Sequence, residues 1–175
     1  MNLLLRVAHL IDMLNRRVGR ATYWLILVAV LISSGNAVAR KTLNLSSNAM
    51  LEIQWYLFAA VFLLCAGYTL LSKEHVRVDL IFSHLSRRKQ LLVEIFGTLL
   101  FLAPMTALIL VLSWSPFVDA WTSGEVSANA GGLIRWPVKL LIPVGFALLL
   151  LQGLSELIKD VAAFRLLGRG EAAAA

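Results

Sequence analysis

The chain has 175 residues, of which 59% are hydrophobic and 15% are charged, and its mean hydropathy is +0.80. Soluble globular domains are roughly half apolar and about a quarter charged, so a soluble fold of this length would expose too much apolar surface to water. The composition therefore excludes an ordinary soluble domain and indicates an integral membrane protein.

Four stretches without charged residues are candidates for membrane spans. Residues 21–39, 53–72 and 95–118 contain 19, 20 and 24 residues, and a span needs about 20 apolar residues at about 1.5 Å each. The fourth, 140–155, has only 16 residues. It reaches full length when Lys139 extends its amine towards the surface and Trp136 lies at the interface. We predict four transmembrane helices.

The Lys and Arg residues outside the spans predict the orientation. Twelve lie on one side of the membrane: Arg6, Arg16, Arg17, Arg20, Lys73, Arg77, Arg87, Arg88, Lys89, Lys159, Arg165 and Arg169. Four lie on the other: Arg40, Lys41, Arg135 and Lys139. The positive-inside rule places both termini in the cytoplasm. The net charge of +6 then suits contact with anionic phospholipid, and we expect no nucleic acid partner.

Residues 1–20 have the apolar spacing of an amphipathic helix, with apolar side chains on one face at Leu3, Val7, Leu10, Leu14 and Val18. We predict that this segment lies in the membrane surface as a separate helix, or else is a frayed tail. The Ala37-Val38-Ala39 sequence resembles a signal-peptide cleavage site, but the apolar stretch before it exceeds the usual 7–15 residues. We therefore predict a surface helix over 1–20, a four-helix membrane domain over 21–160 and a cytoplasmic tail over 161–175.

Residues that carry chemistry are sparse. His9, His75 and His84 have no metal-ligand spacing, and the lone Cys65 cannot form an internal disulfide. We predict no enzyme activity, no metal and no cofactor. The middle of each span lacks charge, whereas a self-sufficient ion-coupled transporter usually has a polar site near the midplane.

Small and polar residues on one face of a span predict contacts with another helix. The first span has such a face at Ala29, Ser33, Asn36 and Arg40, and the fourth has one at Gly145, Gln152 and Glu156. In the third span, Pro104 predicts a kink. Glu52 and Arg40 flank the external loop 40–51, and we expect them to pair with each other or with a partner subunit. Glu52 is also the acid that a dimerising four-helix exporter would need.

Three segments together resemble the small membrane subunit of tripartite ATP-independent periplasmic (TRAP) transporters over residues 15–160. The first is Glu-Ile-Gln-Trp-Tyr at 52–56 with Ala66-Gly67 further along the same span. The second is His-Val-Arg-Val-Asp at 75–79, and the third is Pro-Val-Gly at 143–145. Trp55 stands where many members have Arg, and the external loop 127–137 is fuller than the common pattern.

The resemblance implies a bacterial inner-membrane scaffold for a large elevator-type subunit that carries the substrate and sodium sites, while a periplasmic binding protein captures an organic acid. As a hypothesis, we place the interface with a partner subunit at Asn36, Arg40, Glu52, Gln54, Trp55, Tyr56, His75, Arg77, Asp79, Gly145 and Gln152. Candidates for docking the binding protein are Trp121, Glu125 and Arg135. Asp79 is expected to cap a short surface helix. The alternative is a stand-alone four-helix small-molecule transporter or a membrane-sensing module.

Overall fold

The computed structural model describes residues 2–43, 47–73 and 85–174, and it is a bundle of long helices. The elements are α1 (Asn2–Thr42), α2 (Asn48–Leu71), α3 (Arg87–Gly97), a π-helical turn (Thr98–Leu102), α4 (Ala103–Ser123) and α5 (Trp136–Ala174). Among the described residues, four helical stretches are long and apolar enough to cross a membrane: Leu3–Thr42, Asn48–Leu71, Arg87–Ser123 and Trp136–Leu167. The predictions of an all-helical fold and of four candidate spans are confirmed for this part of the chain.

The predicted separate surface helix is wrong, because α1 runs unbroken from Asn2 to Thr42. Its 41 residues give a length of about 60 Å, roughly twice the hydrocarbon thickness of a bilayer. The reason is a stripe of buried residues on one face of α1, which continues through residue 20, where we expected the surface helix to end. Residues at every seventh position are at most 8% exposed: Ala8, Asn15, Thr22, Ala29 and Asn36.

This seven-residue spacing is typical of helices that pack along their whole length. All five stripe residues are small or polar, which lets neighbouring backbones approach closely in an apolar solvent. The larger apolar side chains of the same segment point outward, and Leu3 is 74% exposed. The amphipathic pattern of residues 1–20 is therefore real, but part of its polar face contacts the chain's own helices.

The third span is interrupted just before Pro104. The amide of Ala103 donates to the carbonyl of Thr98, five residues earlier, within the π-helical turn. Pro104 has no amide hydrogen for the carbonyl of Leu100, and its ring would press on that carbonyl in a regular α-helix. The wider π turn relieves this contact. The disturbance predicted at Pro104 thus takes the form of a π turn on its N-terminal side.

Consecutive spans run in opposite directions, so that α1 begins where α5 ends. The hydroxyl of Ser155 donates to the carbonyl of Ala8 at 3.1 Å, and the guanidinium of Arg88 lies 5.2 Å from the ring centre of Phe164. The starts of α1 and α3 and the second half of α5 therefore share one end of the bundle, here called the basic end. The opposite end holds the start of α2 and the loop 124–135.

Candidate functional site

Two hydrogen-bonded networks, one at each end of the bundle, contain several of the predicted interface residues. The network at the basic end, here called the Asp12 cluster, consists of Asp12, Asn15, Gln152, Ser155 and Lys159. The Asp12 carboxylate accepts from the Gln152 amide at 2.8 Å, the Ser155 hydroxyl at 2.7 Å and the Lys159 amine at 3.0 Å. A carboxylate with three donors, one of them a cation, joins α1 firmly to α5.

Asn15 connects this cluster to α2. Its side-chain amide is fully buried and donates to Gln152 Oε1 at 3.0 Å and to the Leu148 carbonyl at 3.4 Å. Its oxygen lies against Gly67, where an added Cβ would be only 2.2 Å from Oδ1. Only glycine fits at this position, so Asn15 and Gly67 set the distance between α1 and α2.

Gly145 has a similar role between α2 and α5. A Cβ there would lie 2.8 Å from both the Cβ and the carbonyl oxygen of Leu63. Gly145 and Gln152 were predicted at the interface with the large subunit. In this chain both are buried between its own helices, because small and amide-bearing residues suit internal helix contacts as well as external ones.

The network at the opposite end, here called the Glu52 clasp, joins α2 to the loop 124–135. Gly124 ends α4 in the left-handed conformation, with φ at +63°, as helix-terminating glycines commonly do. The loop then folds back as a short hairpin, in which Ser127 and Leu133 share a backbone hydrogen bond of 2.9 Å. The Glu52 carboxylate enters this hairpin and accepts from the Ser127 hydroxyl, from Asn129 Nδ2 at 2.8 Å and from the Leu133 amide at 2.7 Å.

The direct Glu52–Arg40 pair is therefore wrong. Glu52 is 4% exposed, and the three donors on its carboxylate all come from the loop. Two further side chains of α2 hold the same loop, since Asn48 donates to the Ala130 carbonyl and Tyr56 donates to the Ile134 carbonyl, each at 3.2 Å. The arrangement fixes the loop and leaves the Glu52 carboxylate buried against it.

The three docking candidates lie close together beside the clasp. Trp121 is 56% exposed and packs edge-on against Trp136, with ring centres 4.5 Å apart. Glu125 forms an ion pair with Lys139. Arg135 is exposed and donates to the Ser127 hydroxyl at 3.4 Å. Trp121 and Arg135 therefore remain accessible on an ordered surface, whereas Glu125 is engaged within the chain.

Asn36, Arg40 and Gln54 line an open groove of about 540 Å³ between the end of α1 and the start of α2. Trp55 is exposed nearby on α2. These four are the predicted interface residues whose side chains still face outward or into an open space. His75, Arg77 and Asp79 lie outside the described residues, so their roles, including the predicted cap at Asp79, stay predictions.

Residues 29–163 match the family model for tripartite ATP-independent periplasmic transporters, DctQ component. The chain belongs to this family. The match covers well over half of the sequence, and it confirms the resemblance drawn from the three segments. No curated protein and no solved structure matches the chain.

A DctQ component is a membrane-embedded, non-enzymatic part of a TRAP transporter, so the prediction that this chain is not an enzyme is confirmed. The family implies a tripartite complex, with a second membrane component and a periplasmic component beside DctQ. Four candidate spans agree with its membrane location.

Sequence reasoning missed the residues on which both networks of this DctQ chain depend. Asn15, Ser127 and Asn129 were not singled out as contacts, and Gly67 was noted only for the resemblance. A signal for Asn15 was present, since it belongs to the seven-residue stripe of α1. For Ser127 and Asn129 no local pattern pointed to Glu52, which is more than 70 residues away.

Proposed function

We propose that this DctQ component is the scaffold subunit of a sodium-coupled, binding-protein-dependent transporter that imports organic acids through the bacterial inner membrane. The large membrane subunit carries the substrate and sodium sites and moves them. One observation carries the proposal: the hydrogen-bonded carboxylates of Asp12 and Glu52 tie the chain's own elements together. A polar path through lipid would need such groups exposed along a span.

The outward surface of the bundle supports the same role. Large apolar side chains on α2, on the π turn and on α4 point away from the bundle, with Phe62 at 79% and Val111 at 69% exposed. Such a surface suits lipid or a neighbouring membrane subunit. We propose that the groove lined by Arg40 and Gln54, with Trp55 beside it, contacts the large subunit near the membrane boundary.

We further propose that the loop 124–135 helps to dock the periplasmic binding protein. Two observations support this: the loop is held in one shape by the Glu52 clasp, and Trp121 and Arg135 are exposed beside it. Exposed Trp and Arg on a preordered surface are the residue types that contribute most to protein–protein binding.

The proposed orientation places the basic end in the cytoplasm and the loop in the periplasm. In a Cys65→Ala background, Ala128→Cys is expected to react with a membrane-impermeant maleimide added to spheroplasts. Ser86→Cys, just before α3, is expected to react only after the membrane is permeabilised. Both positions are exposed, so a difference in reaction measures sidedness, and labelling of Ser86→Cys in sealed spheroplasts contradicts the orientation.

Affinity purification tests whether the chain acts within a complex. A tagged chain, extracted gently from membranes that also contain a large TRAP membrane subunit, is expected to retain that subunit in a fixed ratio. Trp55→Ala together with Arg40→Ala is expected to lower the retained amount several-fold, since buried interface aromatics and arginines dominate binding energies. Trp24→Ala, which removes a Trp that is 70% exposed outside the proposed contact, is the matched control. Equal retention by wild type and the double variant removes this groove from the interface.

A further inference from the structure

A cavity of about 560 Å³ lies between the end of α2, the third span and α5. Its volume is within the range of small-molecule sites in proteins. The walls are mostly apolar, and the cavity is open on the side of Phe101 and Met105, which are 74% and 63% exposed. At the basic end of the bundle its lining includes four ionisable side chains: Lys73, Glu94, Glu156 and Asp160. The cavity thus has a charged end and a long apolar part, which match the headgroup and the tail of an amphiphilic molecule.

Asp160 is the residue that points to a ligand. It is only 8% exposed and lines the cavity, and it accepts no hydrogen bond from any residue that the structure describes. The charges of Lys73 and Lys159 act on this carboxylate, and those of Glu94 and Glu156 oppose them. A buried carboxylate with nearby cations but without a hydrogen-bond donor is still costly. A cationic donor that enters the cavity satisfies it, and Lys73 at the same end attracts an anion.

The length of the cavity favours a lipid. Its wall on the third span extends from Glu94 to Ile109, which corresponds to about 22 Å of helix. Half of a bilayer's hydrocarbon core is about 15 Å thick. A headgroup at the charged end and one acyl chain along the apolar wall therefore fit the cavity in register with a single leaflet.

The cation is better supplied by an ammonium than by a metal. Among the described residues, no three acidic, His or Cys side chains lie close enough to hold a metal ion. We propose that this cavity binds a phospholipid with a primary-ammonium headgroup, as in phosphatidylethanolamine. The ammonium binds Asp160, the phosphate lies near Lys73, and an acyl chain follows Phe101 and Met105. This proposal does not depend on the scaffold role.

Native mass spectrometry of the purified full-length chain in detergent tests the proposal with three dioleoyl lipids. Phosphatidylethanolamine is expected to bind about tenfold more tightly than phosphatidylglycerol, since a hydrogen bond to a charged group contributes that much. Phosphatidylcholine, which carries a cation without N–H donors, is expected to bind more weakly than phosphatidylethanolamine. Equal binding of all three lipids by the wild type overturns the proposal.

Two variants and two matched controls locate the site. Asp160→Asn removes the charge, and Gly97→Leu adds an apolar side chain to the cavity wall at a position where a Cβ meets nothing within 4 Å. Both are expected to lose the preference for phosphatidylethanolamine. Asp119→Asn, an exposed acid outside the cavity, and Gly35→Leu, an equally open glycine on α1, are expected to keep it.

A cation of the large subunit is the competing occupant. In that case Asp160→Asn binds phosphatidylethanolamine as well as the wild type does, and the variant fails to retain the large subunit on affinity purification. That pair of results overturns the lipid proposal. Retention of the large subunit together with loss of the lipid preference supports it.

Discussion

Replacing Gly67 with alanine is expected to destabilise the bundle by about 2 kcal/mol, the usual range for forcing an extra methyl group into a tightly packed site. The new Cβ would lie 2.2 Å from Asn15 Oδ1 and 3.2 Å from the Leu148 carbonyl oxygen. Asn15 cannot move without losing its hydrogen bond to Gln152. The measurement is the thermal unfolding midpoint of the purified chain, with a drop of about 4–8 °C expected from the proportionality in soluble domains.

A double variant makes this test specific. Asn15→Ala removes the side chain that blocks the new methyl group. In that background Gly67→Ala is therefore expected to lower the stability of the bundle much less than it does in the wild type. Gly35→Ala is the control, because a Cβ there meets nothing within 4 Å. Two results would show that this contact does not set the distance between α1 and α2. One is a Gly67→Ala variant that melts at the wild-type temperature, and the other is a Gly67→Ala change that lowers the unfolding midpoint equally with and without Asn15.

Glu52→Ala is expected to release the loop 124–135. The substitution removes the acceptor for the Ser127 hydroxyl, the Asn129 amide and the Leu133 backbone amide. Hydrogen bonds to a charged group contribute about 1.5–3 kcal/mol each, so local opening of the loop is expected to become at least about tenfold more frequent. Tryptic cleavage after Arg135, followed by mass spectrometry of the purified chain, measures this opening.

Two variants serve as references for the Glu52 experiment. Glu52→Gln is expected to fall between Glu52→Ala and wild type, because its amide oxygen still accepts hydrogen bonds while its amide nitrogen faces donors. Asp119→Asn removes an exposed acid whose side chain pairs only with Ser115 among the contacts described. Trypsin is expected to cleave this variant at the same rate as the wild type. Unchanged cleavage in Glu52→Ala shows that the clasp does not hold the loop.

The same variant examines the docking role of the loop. In a reconstituted complex, Glu52→Ala and Trp121→Ala are both expected to raise the binding-protein concentration needed for half-maximal uptake. Trp121→Ala leaves the three donors to Glu52 in place, so its effect reports the contact surface rather than the shape of the loop. A lower yield of complex with an unchanged half-maximal concentration places the loop against the large subunit instead.

The four spans could be predicted from the sequence because the charge-free runs reflect the cost of placing charge in lipid, a property of each segment alone. The same approach did not show that residues 1–20 belong to the first long helix. Periodicity identifies two faces on residues 1–20 but does not say which face contacts protein. In α1 the small and polar stripe through Ala8 and Asn15 faces the bundle, while Leu3 and Leu10 face outward.

The hydrogen-bond partners of Glu52 could not be predicted from the sequence, for a different reason. Arg40 was a reasonable partner, since both residues flank one short loop. The donors, Ser127 and Asn129, lie in the loop between the third span and α5, more than 70 residues along the chain from Glu52. Gly145 and Gln152 show the same limit, because a small or amide-bearing residue in a span predicts a helix contact without naming the helix.

The central claim is that this DctQ component supports transport without carrying substrate itself. Uptake of a radiolabelled organic acid that the cognate binding protein binds, measured in proteoliposomes under an inward sodium gradient, tests it most directly. No uptake above empty liposomes is expected for this chain alone, with or without the binding protein. Uptake is expected once the large membrane subunit is included, and its loss is expected when this chain is omitted. Sodium-dependent uptake by this chain alone would show that it carries substrate itself.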